Sequence, residues 1–364
     1  MSAPVDKRKN IASIQFLRFV AATIVVVFHT TQAVDKYFGH GLAAIFVHLA
    51  DLGAAGVHIF FVISGFIMVY TSFPLASRSF SSSEFLTRRF IRIYPIYFIY
   101  AALYLAFYQF IGFGKHLSLG QLVGSILLWP GYSSYIIGPG WTLSYEVYFY
   151  ACFGLVMTLG LRRGLQALTI VFLAAIASSL FFDTSGPTVH VLTNALLIEF
   201  LLGAWAGYLT VTAVPVGNRQ ANAMLVFALL GFLAGPVCGY RVLPSVLMWG
   251  IPSVLLVAGL VFRERNGRVP GIIRGMSFLG DSSYSLYLLH IMLVDLLTLV
   301  PISYSPWFKS HIAQVGSVTL ALICFAIAIF CIGVAFLAYE LVERRVVAFL
   351  HSVFRRKVPA ASRF

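Results

Sequence analysis

Two ionisable side chains interrupt the first long apolar run, IASIQFLRFVAATIVVVFHT: Arg18 near its start and His29 near its end. Eleven positions at about 100° each make roughly 1100°, about 20° past three full turns, so both project from one helix face about 16 Å apart. A charge at mid-bilayer costs about 2.5–3.5 kcal/mol on insertion scales and marks function by default. A neutral imidazole can take a proton from a hydroxyl, or carry an acyl group itself.

Four further segments carry more polarity than a lipid-facing helix tolerates. In GVHIFFVISGF, His58 shares a face with Gly65 and can serve as base, ligand or plain hydrogen-bonding group. Ser64 lacks the G-x-S-x-G elbow of a nucleophile, and helix packing suits it better. In SSSEFLTRRFIRIYP, Ser81 to Ser83 offer an N-cap and Pro95 marks the start of a span near 94. Arg88, Arg89 and Arg92 project together, and guanidinium forks suit phosphates. The alternative is an anchor on anionic lipid. In GPGWTLSYEVYFY the glycines and proline turn the chain, Trp141 suits an interface, and Glu146 lies one turn inside, where it can pair with His29 or His58 or form a structural ion pair with Arg18. In LGDSSYSLYLLH, Asp281 reads as an N-cap, and Ser283, Tyr287 and His290 form a polar stripe at about 0°, 40° and −20°. Glu199 and Asp295 stand isolated and take no role.

The elements that must position these groups are membrane helices. The 364 residues are 60% hydrophobic and 10% charged, with mean hydropathy +0.91. That excludes a soluble domain of this size. The expected fold is all-α: a polytopic integral membrane helical bundle of about ten transmembrane helices. Expected spans are 11–32, 56–73, 94–112, 142–160, 165–182, 190–211, 221–240, 244–262, 282–300 and 314–339. Segment 119–130 is too short to cross and reads as re-entrant or interfacial. The net charge of +13 does not indicate nucleic acid, because the basic residues gather at span ends. Twenty of 25 Lys and Arg fall on one side, which places both termini in the cytoplasm. Residues 1–10 form the cytoplasmic N-terminus, 11–346 one membrane domain, and 347–364 a basic tail expected to be disordered. The basic start is not followed by a clear cleavage pattern, so the first run is a span rather than a leader. No internal repeat or matched pair of broken spans is evident, which counts against a secondary transporter. The four cysteines lack metal-ligand spacing, and no metal or bound cofactor is expected.

The five segments, in this order, resemble acyltransferase family 3 of integral membrane proteins, and within it the exopolysaccharide-modifying members. The carrying motifs are Arg18 with His29, FFVISGF, RRFIRIYP, WTLSYE and GDSSYSLYLLH. The resemblance implies an O-acyltransferase in a bacterial inner membrane. It would take an acyl group, most often acetyl, from cytoplasmic acyl-CoA as co-substrate and pass it to a hydroxyl of an exported or cell-surface carbohydrate. By likeness, Arg18 and His29 match the arginine–histidine motif, Arg88, Arg89 and Arg92 the basic segment that meets the donor, and Glu146 the acidic position after the tryptophan. Many members have Asp where His58 stands, which leaves its role open. Arg345 replaces a proline usual near the end of the last span. Many relatives carry an added hydrolase-like domain. The chain ends at Phe364, so direct transfer, or transfer through a separate protein, is expected.

The mechanism expected from the residues uses His29 as base or acyl carrier, Glu146 to orient it, and Arg18 beside the donor's path. Arg88, Arg89, Arg92, His58, Trp141, Tyr287 and His290 are the expected substrate- and donor-binding residues, with Tyr287 or His290 facing the oxyanion. Partners would be acyl-CoA, a carbohydrate acceptor, the bilayer and polysaccharide-synthesis machinery, with no nucleic acid. The rival functions are a non-enzymatic glycan exporter and a structural subunit of a polysaccharide-synthesis complex.

Overall fold

The computed structural model describes residues 11–39, 41–76, 80–114, 116–131, 135–238 and 244–356, and every regular element among them is helical. The N-terminal segment 1–10, the tail end 357–364, and the basic residues Arg78, Lys115 and Arg241 lie outside the described residues. Seventeen α-helices follow in order. They are α1 Ala12–Tyr37, α2 Ala44–Asp51, α3 Ala55–Ala76, α4 Ser82–Phe110, α5 Leu119–Ile126, α6 Gly140–Val156, α7 Leu161–Ser178, α8 Pro187–Leu192 and α9 Leu197–Val211. Then come α10 Asn218–Cys238, α11 Ile251–Arg265, α12 Gly271–Met276, α13 Ser283–Leu297, α14 Leu299–Tyr304, α15 Pro306–Ile312, α16 Ser317–Ala338 and α17 Arg344–Arg356. π-Helical turns lead into α11 at Val246–Gly250 and into α17 at Tyr339–Glu343.

Nine helical stretches among the described residues are long and apolar enough to cross a bilayer. They match nine of the ten expected spans, and the tenth, 221–240, falls on α10. Side chains such as Phe110, Ile170, Phe227 and Phe325 stand exposed on the outside of the bundle, where acyl chains replace water as the solvent. Helix α5, eight residues and about 12 Å long, is too short to span.

Three sequence expectations change. Pro95 lies inside α4, which starts at Ser82, so the basic segment is the opening of the spanning helix itself. Ser81 does cap it, accepting from the Glu84 amide at 3.2 Å. Asp281 caps no helix; its Oδ1 accepts from Gln15 Nε2 at 2.6 Å. The tail expected to be disordered continues as α17 through Arg356.

Helix α1 sits among α3, α13 and α16. The Glu264 carboxylate from the end of α11 fixes its N-terminus, accepting from the amides of Ala12 (2.9 Å) and Ser13 (2.7 Å). That satisfies two orphan donors with a charge the helix dipole favours. The turn at Ser277–Ser282 presses on α1 through Gly280, where an added Cβ would stand 2.1 Å from the Gln15 carbonyl. Helices α3 and α9 approach most intimately through small residues: a Cβ on Gly65 would meet the Phe200 carbonyl at 2.0 Å, and one on Gly203 the Val62 carbonyl at 2.0 Å. Such contacts hold membrane helices together where lipid supplies no hydrophobic drive.

Candidate active site

Two cavities meet inside the bundle. One, of about 90 Å³, is cationic: Arg18 from α1 and Arg89 and Arg92 from α4 line it, with Ser64, Glu146, Tyr150 and Tyr284. The other, of about 580 Å³, is lined by His29 from α1, His58 from α3, Trp141 from α6, and Asn194. Val57 and Tyr287 line both and form their common wall. Tyr287 is held there by Thr142. The Thr142 hydroxyl donates to the Pro139 carbonyl (2.9 Å), so at 2.8 Å it accepts from the Tyr287 hydroxyl.

In the arginine-lined cavity, Arg18 Nη1 donates to Gln15 Oε1 at 3.0 Å, and Gln15 in turn is held by Asp281. Arg89 Nη2 donates to Thr71 Oγ1 at 3.2 Å, and its guanidinium lies over the Tyr150 ring at 5.6 Å. Its Nε is buried with no partner among the described residues. Glu146 Oε1 accepts from Ser64 Oγ at 2.9 Å and from the Tyr150 hydroxyl. Three guanidinium groups against one lining carboxylate leave the cavity positive, a setting for an anion.

In the histidine-lined cavity, the hydrogen bonds define the tautomer of His29. His290 Nδ1 lies 2.7 Å from the Tyr287 carbonyl and must donate to it. In the neutral ring its Nε2 therefore carries a lone pair. His29 Nδ1 stands 3.0 Å from the Val25 carbonyl and 3.2 Å from that Nε2. Facing two acceptors, it carries the proton, and His29 Nε2 is left with the lone pair a base or nucleophile needs.

Arg18, Arg89 and Arg92 thus converge in one cavity, and His29, His58, Trp141 and Tyr287 line the other. Three expected placements fail. Glu146 does not orient His29; it lies in the arginine-lined cavity with Ser64 and Tyr150, and His290 with the Val25 carbonyl takes the orienting position. Arg88 does not line the cationic cavity; it pairs with Glu84 at 2.9 Å on the exposed face of α4. His290 is fully buried, so it reaches a substrate only through His29.

The sequence alone assigns no role to Tyr150, Gln15 or Glu199. Tyr150 lies four residues from Glu146, a helical spacing that signals their contact. Glu199, fully buried, accepts from His58 Nδ1 at 2.7 Å. An intramembrane carboxylate was the available signal, but its partner is 141 residues away. Asp295, also left without a role, is bound by the Tyr108 hydroxyl.

The family model described as "Acyltransferase domain", that of acyltransferase family 3, matches residues 11–340. Exopolysaccharide production protein ExoZ of Rhizobium meliloti (strain 1021) is 31% identical over 262 residues, covering 68% of this chain and 78% of that protein. Acyltransferase MdmB of Streptomyces mycarofaciens is 26% identical over 324 residues, covering 78% of this chain and 79% of that protein. No solved structure matches the chain. A cationic chamber sharing a wall with a histidine-lined one, inside a bundle whose family match spans nearly every helix, leads to one assignment: the chain belongs to acyltransferase family 3 and is a multi-pass integral membrane acyltransferase.

Proposed function

We propose that this chain moves an acyl group, acetyl first among the options, from cytoplasmic acyl-CoA to a hydroxyl of an exported or cell-surface carbohydrate such as exopolysaccharide or lipopolysaccharide. It would work in a bacterial inner membrane with both termini inside. The observation that carries this reading is the shared wall at Val57 and Tyr287, which brings a cationic cavity and a histidine-lined one together inside the helical bundle. The 31% identity to an exopolysaccharide production protein supports the choice of carbohydrate.

On this reading the arginine-lined cavity opens to the cytoplasm and receives the donor. At about 90 Å³ it is too small for a nucleotide, so only the acylated end of the pantetheine arm enters it. The CoA phosphates stay at the mouth, near exposed Arg88. Arg18, Arg89 and Arg92 hold the donor, and Glu146, fixed by Ser64 and Tyr150, balances part of their charge.

The acceptor occupies the histidine-lined cavity, with Trp141 as an apolar face for a sugar ring. Its hydroxyl gives a proton to His29 Nε2 as its oxygen bonds to the thioester carbon. The tetrahedral oxyanion is met by Tyr287, whose hydroxyl leaves Thr142 to donate to it. The C–S bond then breaks, the thiolate recovers the proton from His29, and ester and CoA depart on opposite sides.

Purified protein in lipid vesicles, given radiolabelled acetyl-CoA and saccharide, tests the proposal. Wild type should form labelled glycan ester, and His29→Gln at equal membrane abundance should form none. Saccharide crossing the vesicle without thioester cleavage would make the chain an exporter. Full activity of the His29 variant would remove that residue from the chemistry.

A further inference from the structure

The histidine-lined cavity contains a second imidazole that acyl transfer at His29 leaves unused. His58 is 8% exposed, lines the cavity, and stacks on Trp249 with ring centroids 6.2 Å apart. Its Nδ1 lies 2.7 Å from Glu199 Oε1. Glu199 is 0% exposed, and its Oε2 has no partner among the described residues, so His58 is the group that holds this carboxylate. Space for the carboxylate comes from Gly250, where an added Cβ would stand 3.0 Å from Glu199 Cγ. Gly250 closes the π-helical turn that also presents Trp249; such turns recur at functional sites.

A helix staple is the competing explanation, since the pair joins α3 to α9. It explains little. Gly65 and Gly203 already bring these helices to backbone contact. A buried ion pair adds little stability over apolar side chains of the same size. In hydrocarbon, an ionisable pair with one edge on a cavity marks a substrate path.

The geometry points to His58 as a hydroxyl-binding residue of the acceptor site, with Glu199 as its positioning residue. We propose that the site grips its acceptor at two hydroxyls, the reacting one at His29 and a second, non-reacting one at His58. With Nδ1–H fixed on Glu199, Nε2 is the ring nitrogen left to meet a ligand in the cavity that His58 lines. A hydroxyl both donates and accepts, so it pairs with Nε2 in either protonation state of the ring. The acceptor class is therefore a polyol or sugar rather than a simple alcohol. This rests on the acyl-transfer reading above.

The test uses the full chain in vesicles with radiolabelled acetyl-CoA and a panel of methyl glucoside, galactoside and mannoside, each also in monodeoxy forms, plus de-esterified exopolysaccharide oligomers. Variants are Glu199→Gln, His58→Gln, and His58→Phe combined with Glu199→Leu. The double variant removes both polar partners and leaves no buried orphan charge. Loss of one hydrogen bond corresponds to about fivefold, so the acceptor KM of the double variant should rise about fivefold. The donor KM should stay within about twofold, and His58→Gln, which keeps an amide at the site, should recover part of the loss. Deleting one non-reacting hydroxyl should weaken the wild type by a similar factor and leave the double variant unchanged.

A double variant with unchanged acceptor KM overturns the proposal, whether or not its melting temperature falls. So does a rise in donor KM alone, or equal sensitivity of wild type and double variant to every deoxy acceptor. Absence of labelled ester on the whole panel with wild type defeats the acyl-transfer reading itself.

Discussion

Replacing His290 isolates the tautomer control of His29. His290 is fully buried and lines neither of the two cavities, yet its Nε2 stands 3.2 Å from His29 Nδ1. His290→Leu leaves the Val25 carbonyl, at 3.0 Å, as the single acceptor for the His29 Nδ1 proton. One net hydrogen bond contributes about 1 ± 0.5 kcal/mol, and about 1.4 kcal/mol is tenfold in rate. The expected fall in kcat is therefore about 2- to 12-fold, with both KM values unchanged, since the ring still lines the cavity. His290→Gln, whose amide oxygen can accept the same proton, should stay within about threefold of wild type. The assay is ester formation from radiolabelled acetyl-CoA in vesicles, normalised to membrane abundance, with thermal melting in detergent as the control for folding. A leucine variant that works at the wild-type rate would refute the tautomer argument. One as inactive as His29→Gln, with an unchanged melting temperature, would place His290 in the chemistry itself.

Other consequences are equally direct. Arg92→Ala should raise the acyl-CoA KM about tenfold through loss of a charge-assisted hydrogen bond, whereas Arg88→Ala, losing an exposed pair with Glu84, should cost under about 1 kcal/mol of stability and change that KM less; donor titrations in vesicles compare them. Tyr287→Phe should lower kcat about 10²-fold with little change in either KM if its hydroxyl meets the oxyanion; unaltered kcat would leave Tyr287 a wall residue. Gly203→Ala should cost about 1–3 kcal/mol or abolish folding, because its Cβ would fall 2.0 Å from the Val62 carbonyl; a melting temperature equal to wild type would refute the close contact of α3 and α9.

Periodicity within one helix is legible in the sequence. Arg18 and His29 face inward together, as their eleven-residue spacing requires, and Ser81 caps α4 as its type predicts. What the chain does not print is the stagger between helices. Glu146 levels with Ser64, six residues along α3 from His58, so it misses His29 despite lying near the end of its own span. Hydropathy windows likewise start α4 near Pro95, because the arginines before it lower the average. The backbone continues regardless: a helix that begins in the interface keeps its hydrogen bonds whether its side chains are charged or apolar. Glu199 looked isolated because its partner comes from another helix, and a lone sequence carries no record of that meeting.

If the two cavities open to opposite faces of the membrane, as proposed, the wall they share has a bearing on the cell's energy supply. At Val57 and the Tyr287–Thr142 pair, the insulating thickness between an arginine-lined and a histidine-lined space shrinks to about one side chain. A wire of water through that point would short-circuit the proton gradient. On the proposed reaction the thioester carbon and the acceptor oxygen must come within bonding distance at this point, so the acyl group passes between Val57 and Tyr287 while the two spaces otherwise stay apart.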